Sequence, residues 1–210
     1  MKDLRREYAN RSIEDGAMDP DPIAQFRVWF DEALTARVAD ANAMSLATAS
    51  ASGEPSVRTV LLKGVDERGF TFFTHYTSPK GRDLAENPRA SLLFYWPNLE
   101  RQVRISGSVS RVPREISEAY FGSRPVDSQW AAWAAPQSTD LEDRQALERR
   151  FGEIKERFAN QPVPCPPDWG GYHVAPDRIE FWQGRPWRLH DRILYTREPD
   201  GAWRRRRLAP

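Results

Sequence analysis

The chain has 210 residues, enough for one sizeable domain with a real core. Lys and Arg number 31 against 30 Asp and Glu, so no global field draws in nucleic acid or a membrane, and any recognition of anions has to be local. The single cysteine, Cys165, excludes an internal disulfide, offers no zinc framework and fits a reducing cytoplasm. His75, His173 and His190 are far apart in sequence, and no metal site is expected. The N-terminus MKDLRREYANRSIEDGA has no apolar core and the chain has no long apolar run, so neither export nor membrane insertion is expected.

Residues 1–20 are polar and expected to be mobile, with a cluster of Arg5, Arg6, Glu7 and Tyr8 able to fold over a ligand. Asp21 and Pro22 open a helix whose apolar residues Ile23, Phe26, Phe30, Ala33 and Leu34 recur at helical spacing. From Ala43 the texture changes to AMSLATA, SVRTVLLKG, GFTFFTH, ASLLFYW and RQVRISGSVSRV, separated by turn signals. Hairpin-length gaps favour an antiparallel sheet, closed or half-closed into a barrel with peripheral helices, a mainly β fold of α+β type. SPKGRDLAENP interrupts them with a Ser-Pro helix start, whose free amides suit a phosphate with Lys80 at hand. Pro113 to Phe121 reads as a short helix, and Leu147, Phe151, Ile154 and Phe158 mark a longer one after an Asp140 cap. PVPCPPDWGG reads as a rigid connector within one domain, residues 21–210, because strand pattern follows it without a second core.

The segment IEFWQGRPWRLHDR, residues 179–192, reads as a strand in which Arg188, His190 and Arg192 share a face. Three potential cations side by side repel one another unless an anion or opposing carboxylates lie between them, and a phosphate is the natural candidate. The arginines of WRRRRLAP alternate faces in a strand, which points to a solvated edge or interface ion pairs, not to nucleic acid.

No dinucleotide-binding, P-loop, nucleophile-elbow or HExxH motif is present. His190 and Asp191 are neighbours that point to opposite faces of a strand, which makes a hydrolase triad improbable. Arg58 and Lys63 flank an apolar run and fall on opposite faces unless a bulge intervenes, either as solvated ends or serving different groups of one ligand. Tyr120, Arg124 and Ser128 recur at four-residue spacing, a polar helix face or a second phosphate site.

Taken in order, RREY at 5–8, RTVLLK at 58–63, LERQV at 99–103, YFGSRPVDSQ at 120–129, WGG at 169–171, WQGRPWRLHDR at 182–192 and the terminal RLAP resemble the pyridoxine (pyridoxamine) 5′-phosphate oxidase family. The resemblance covers essentially the whole chain and implies a split β-barrel that dimerises with FMN held between subunits, so that a homodimer shares two sites. It implies flavin contacts along Arg58, Thr59, Val60, Leu61, Leu62 and Lys63, with Phe73, Thr74 and Lys80 holding ring and phosphate. Gln102, Gln137, Ser138, Trp182 and Arg192 would complete that pocket. The substrate phosphate would fall to Lys63, Tyr120, Arg124 and Ser128, the pyridine ring to Arg188 and His190, and Arg5 and Tyr8 would belong to a flap. The implied reaction moves a hydride from the carbon bearing the amine or alcohol of pyridoxamine or pyridoxine 5′-phosphate to FMN, which dioxygen reoxidises with release of hydrogen peroxide. Phe73 and Pro79 stand where the family usually has Tyr and Arg, so one bidentate phosphate clamp is missing. A related flavin oxidase acting on a phenazine-type ring, or a protein that stores pyridoxal phosphate, would share much of this pattern.

Overall fold

The computed structural model describes Tyr8, residues 12–14 and residues 16–210; most of the segment expected to be mobile, with Arg5, lies outside the described residues. Helix α1, Pro22–Thr35, begins where Asp21 accepts a hydrogen bond from the Ile23 amide at 2.9 Å. Its buried stripe of Ile23, Phe26, Trp29 and Ala33 lies on the sheet, whereas Leu34, read into the same stripe, is 52% exposed. Phe26 is fully buried among Phe70, Phe94, Phe30 and Trp96, with ring centroids 4.9 to 6.2 Å away.

Nine strands form one curled antiparallel sheet, a half-barrel flanked by helices. They are β1 (Ala43–Ala49), β2 (Pro55–Leu61), β3 (Gly64–Asp66), β4 (Gly69–His75), β5 (Arg89–Trp96), β6 (Arg101–Arg111), β7 (Trp169–Gln183), β8 (Asp191–Arg197) and β9 (Trp203–Leu208). The order β2-β1-β5-β6-β7-β4-β3 continues off the path as β7-β8-β9. One edge of β7 pairs with β6; the other is divided between β4, over residues 169–174, and β8, over residues 178–183. This division splits the sheet. It coincides with a bulge in β7, where Asp177 is the extra residue opposite Ser106/Gly107 of β6; a Cβ on residue 107 would stand 2.0 Å from the Ala175 carbonyl oxygen, so only glycine fits.

Helix α2, Pro79–Glu86, starts at Ser78, whose side chain accepts from the Gly81 amide. The remaining helices are α3 (Arg114–Gly122), α4 (Val126–Ala134) and α5 (Arg144–Arg157). Asp143, not Asp140, caps α5 by accepting from the Ala146 amide at 2.6 Å. Tyr120, Arg124 and Ser128 do not share one helix: Pro125 lacks an N–H and disfavours helical backbone at Arg124, so the chain stops and restarts as α4.

The expectation of a continuous strand through IEFWQGRPWRLHDR fails for a related reason. After β7 ends at Gln183, Pro186–Arg188 forms a single 3-10 turn with Trp187 at φ 54° and Arg188 at φ 63°, and β8 begins only at Asp191. Arg188, His190 and Arg192 therefore do not share a strand face. In β9 alternate arginines tie down the N-terminal segment: Arg205 donates to the Met18 carbonyl at 2.6 Å, and Arg207 to the Ile13 carbonyl at 2.8 Å and to Asp191 at 2.5 Å. No described helix is long and apolar enough to cross a membrane.

Phe26 joins α1 to β4 and β5 through Phe70, Phe94 and Trp96. Its replacement by Ala is expected to cost about 3–5 kcal/mol of folding stability, read from chemical denaturation.

Candidate active site

A cleft of about 1040 Å³ opens between β2, the end of β4, the start of α2 and the α3–α4 corner. Arg58, Thr59, Val60, Leu61, Lys63, Phe73, Thr74, Lys80, Tyr120, Arg124, Ser128, Gln137 and Ser138, all candidate ligand contacts in the sequence reading, line this one cleft. Arg58 and Lys63 reach one cleft without a bulge, because β2 ends at Leu61 and frees Lys63 from the strand alternation. Leu62, expected along the flavin, instead turns into the core and is 6% exposed. Among the described residues no Asp or Glu lines the cleft, although Arg58, Lys63, Lys80 and Arg124 do.

Neighbouring hydrogen bonds hold Arg58 and Lys80 in place. Arg58 donates to Thr48 Oγ1 at 2.7 Å, Ser56 Oγ at 2.5 Å and the Leu46 carbonyl at 3.2 Å, with Asp83 only within 4.0 Å. Lys80 Nζ donates to Gln137 Oε1 at 2.7 Å, Thr74 Oγ1 at 3.1 Å and Ser78 Oγ at 3.3 Å. Burial first, then repulsion from Arg58, push the Lys80 pKa down from 10.5 to about 8. The ammonium also sits in the first turn of α2, where the helix dipole disfavours a cation and no acidic residue offsets it. Arg124 lies 4.9 Å over the Trp169 ring, its pKa is lowered by burial, and its buried Nη1 has no hydrogen-bond partner. One wall is aromatic: Phe73 stacks on Tyr120 at 4.0 Å and on Trp169 at 5.4 Å. Phe73 thus keeps the packing of an aromatic ring there while offering no hydroxyl.

The other expected residues meet elsewhere. Tyr8, Trp182 and His190 form an aromatic cluster with centroids 4.7 to 5.7 Å apart, Tyr8 edge-on to both of the others, and Tyr8 lies so close over Gly184 that a Cβ there would come within 2.6 Å of its ring. His190 Nδ1 accepts from the Arg185 amide at 3.1 Å, which leaves Nε2 to carry the proton of the neutral ring. Burial and then Arg188 lower its pKa. Arg188 is exposed on the turn. Arg192 is Trp182's cross-strand neighbour and forms a bidentate pair with Glu180 at 2.9 and 3.1 Å, so its expected anion is partly supplied by this chain. Gln102 pairs with Trp182 from β6. None of Tyr8, Gln102, Trp182, Arg188, His190 or Arg192 lines the cleft. Trp169, which does, stands thirteen residues before Trp182 on the same strand, a contour of roughly 40 Å.

Sequence reasoning missed His75, which lies in the cleft wall next to Thr74.

Because Lys80 releases its proton near pH 8 when folded and near 10.5 when unfolded, the folded chain holds fewer protons between those values, and stability rises with pH there. Wild type is expected to gain on Lys80→Met from pH 8 to 10, by up to roughly 1.4 kcal/mol per pH unit, in urea denaturation.

Two family models match: Pyridoxamine 5′-phosphate oxidase over residues 30–158, and Pyridoxine 5′-phosphate oxidase C-terminal dimerisation region over residues 169–210. Pyridoxine/pyridoxamine 5′-phosphate oxidase 1 of Ralstonia nicotianae is 57% identical over 210 residues, covering 100% of this chain and 99% of that protein. The Rubrobacter xylanophilus pyridoxine/pyridoxamine 5′-phosphate oxidase is 58% identical over 207 residues, 99% of this chain and 95% of that one. Among solved structures, PhzG from Burkholderia lata in complex with tetrahydrophenazine-1-carboxylic acid superposes with a TM-score of 0.90 at 32% identity, over 96% of this chain and 99% of that one. The chain belongs to the pyridoxine/pyridoxamine 5′-phosphate oxidase family.

Proposed function

We propose that this chain oxidises pyridoxamine 5′-phosphate and pyridoxine 5′-phosphate to pyridoxal 5′-phosphate, with FMN as cofactor and dioxygen as final electron acceptor. The observation that carries this reading is a large cleft lined by Arg58, Lys63, Lys80 and Arg124 and, among the described residues, by no carboxylate. Such a site is electrostatically unfavourable when empty and suits ligands with phosphate groups. The residues present fit FMN: the buried, unpartnered Arg124 Nη1 and the Lys80 ammonium invite anions, and the aromatic wall beside them suits flat rings. The missing arginine at Pro79 leaves Arg58, Lys80 and the Ser78-capped helix start for the cofactor phosphate. The single cysteine supports a cytoplasmic setting.

A homodimer with two composite sites is the arrangement we assign. It is supported by the position of Trp182, Arg188, His190 and Arg192 inside the matched dimerisation region, at the opposite end of β7 from the cleft. A second copy could bring that cluster to the first copy's cleft. Tyr8 packs on Trp182 and His190, so the flap would travel with the C-terminal half-site.

FMN, when bound, supplies the hydride acceptor. The chain's own residues position and polarise. Arg124, Tyr120 and Ser128 hold the substrate phosphate, which fixes the reactive carbon at a set distance from that anchor. Arg188 stands over the carbon that loses hydride, from a turn held by the following β8. His190, its Nδ1 occupied by the Arg185 amide, offers Nε2–H to the ring hydroxyl oxygen. Tyr8 and the aromatic wall exclude water.

The yellow protein is expected to form pyridoxal 5′-phosphate and peroxide in air from both substrates. Arg188→Leu should retain flavin absorbance while kcat/KM falls about 100-fold or more. Arg124→Leu should raise KM by roughly 10- to 100-fold, the loss of charge-assisted bonds to phosphate. Undiminished turnover in Arg188→Leu discards its role. A flavin-loaded chain inert toward both substrates and active on a dihydrophenazine would favour the second reading, that of an oxidase resembling PhzG.

A further inference from the structure

His75 closes the C-terminal end of β4, is buried, and lines the cleft. Its backbone carbonyl is fixed by Ser78, whose hydroxyl donates to it at 2.7 Å and whose amide donates at 3.2 Å. The ring is less well satisfied. Nδ1 is buried, has no hydrogen-bond partner, and faces Asp168 Oδ2 at 3.6 Å, just beyond hydrogen-bond length. Asp168 is itself held in place, accepting from Thr77 Oγ1 at 3.2 Å and, through its carbonyl, from the Tyr76 amide at 2.7 Å.

We propose that His75, backed by Asp168, is an additional phosphate-binding residue of the cleft, neutral while the cleft is empty and protonated when a phosphate monoester enters. The proposal rests on the reading of this cleft as the site for FMN and a phosphorylated substrate. Three charged groups face His75: Lys80 from α2, Arg124 from the α3–α4 corner, and Asp168 from the segment before β7. In the empty cleft burial dominates and Lys80 and Arg124 add repulsion, so the pKa lies below its ordinary value although Asp168 pulls it upward. A phosphate dianion reverses this balance. It pairs with Lys80 and Arg124, cancelling the repulsion that keeps the proton off, and adds its own attraction to that of Asp168. One proton then passes from solvent to the ring, and the imidazolium completes an ion pair with Asp168 on one side and the ligand on the other. Pro79 contributes no cation at the neighbouring position, and His75 would supply a conditional one across the same Ser78 cap. The phosphate group could belong to the flavin or to the substrate, since both Lys80, assigned to the cofactor phosphate, and Arg124, assigned to the substrate phosphate, act on the ring.

The test is isothermal titration calorimetry near pH 7 in two buffers of different ionisation heat, using the full chain stripped of flavin. FMN is compared with riboflavin, then pyridoxal 5′-phosphate with pyridoxal on the FMN-loaded protein. Near pH 7 most of a phosphate monoester is already dianionic, and Lys80, with its pKa about 8, is mostly protonated, so neither contributes much. At least one ester should bind with uptake of up to about one proton, and its dephosphorylated counterpart with none. His75→Asn should abolish most of that uptake while binding riboflavin like wild type, which also reports that it is folded; Asp168→Asn should reduce it. The arm that shows uptake identifies which phosphate His75 serves. Equal uptake in wild type and His75→Asn, or none with either ester, overturns the proposal. A chain that binds no flavin contradicts the cofactor assignment instead, and inorganic phosphate as the titrant then decides the role of His75 by the same comparison.

Discussion

Strand β7 is the element on which the rest of the molecule depends. It is fifteen residues long and hydrogen-bonded along β6, while its other edge is divided between β4 and β8. That division needs the bulge opposite Gly107, where the backbones approach too closely for any Cβ. Its first residue, Trp169, supports the aromatic wall and carries Arg124 over its ring; its penultimate residue, Trp182, anchors Tyr8 and His190. Buried Val174, Ile179 and Phe181 between them lock the strand into the core. The two sets of residues proposed to act together are thereby held at opposite ends of one strand.

Electrostatics explains what the cleft end does. Folding gathers Arg58, Lys63, Lys80 and Arg124 around a space with no lining carboxylate among the described residues, and Asp83 stands 4.0 Å from Arg58 outside it. Burial, with Arg58 nearby, lowers the pKa of Lys80, and a buried nitrogen of Arg124 has no hydrogen-bond partner. Such preorganised charge favours a ligand that carries phosphate, because the donors are already oriented when it arrives. The C-terminal end is built differently. Arg192 is neutralised by Glu180, His190 is held as a neutral ring by a backbone amide, and Arg188 alone among these residues projects from a turn with positive φ.

The fold was largely legible in the sequence, because two-residue alternation in AMSLATA and GFTFFTH and the Asp21 and Ser78 caps are strong local signals. Reading failed where proline overrode periodicity. Pro125 breaks the helix on which Tyr120, Arg124 and Ser128 seemed to align, and Pro186 turns the chain before Arg188 can join a strand. Tyr120, Arg124 and Ser128 still converge on the cleft, because the α3–α4 corner wraps around it. Spacing could not reveal that Leu62 turns inward once β2 ends, or that Glu180 claims Arg192, since both depend on tertiary packing. His75 was overlooked because a lone histidine at a strand end carries no local signature.

Subunit mixing tests the composite site most directly. Arg124→Leu disables the cleft half and Arg188→Leu the C-terminal half, and each homodimer should be nearly inactive at low substrate. If each site draws its cleft from one copy and its C-terminal cluster from the other, heterodimers formed by unfolding and refolding equal amounts together contain one intact site. Activity should then recover to about a quarter of wild type, from the statistical pairing of two subunits with an isologous interface. Recovery no greater than the sum of the two parents would contradict sharing and place each complete site within a single chain.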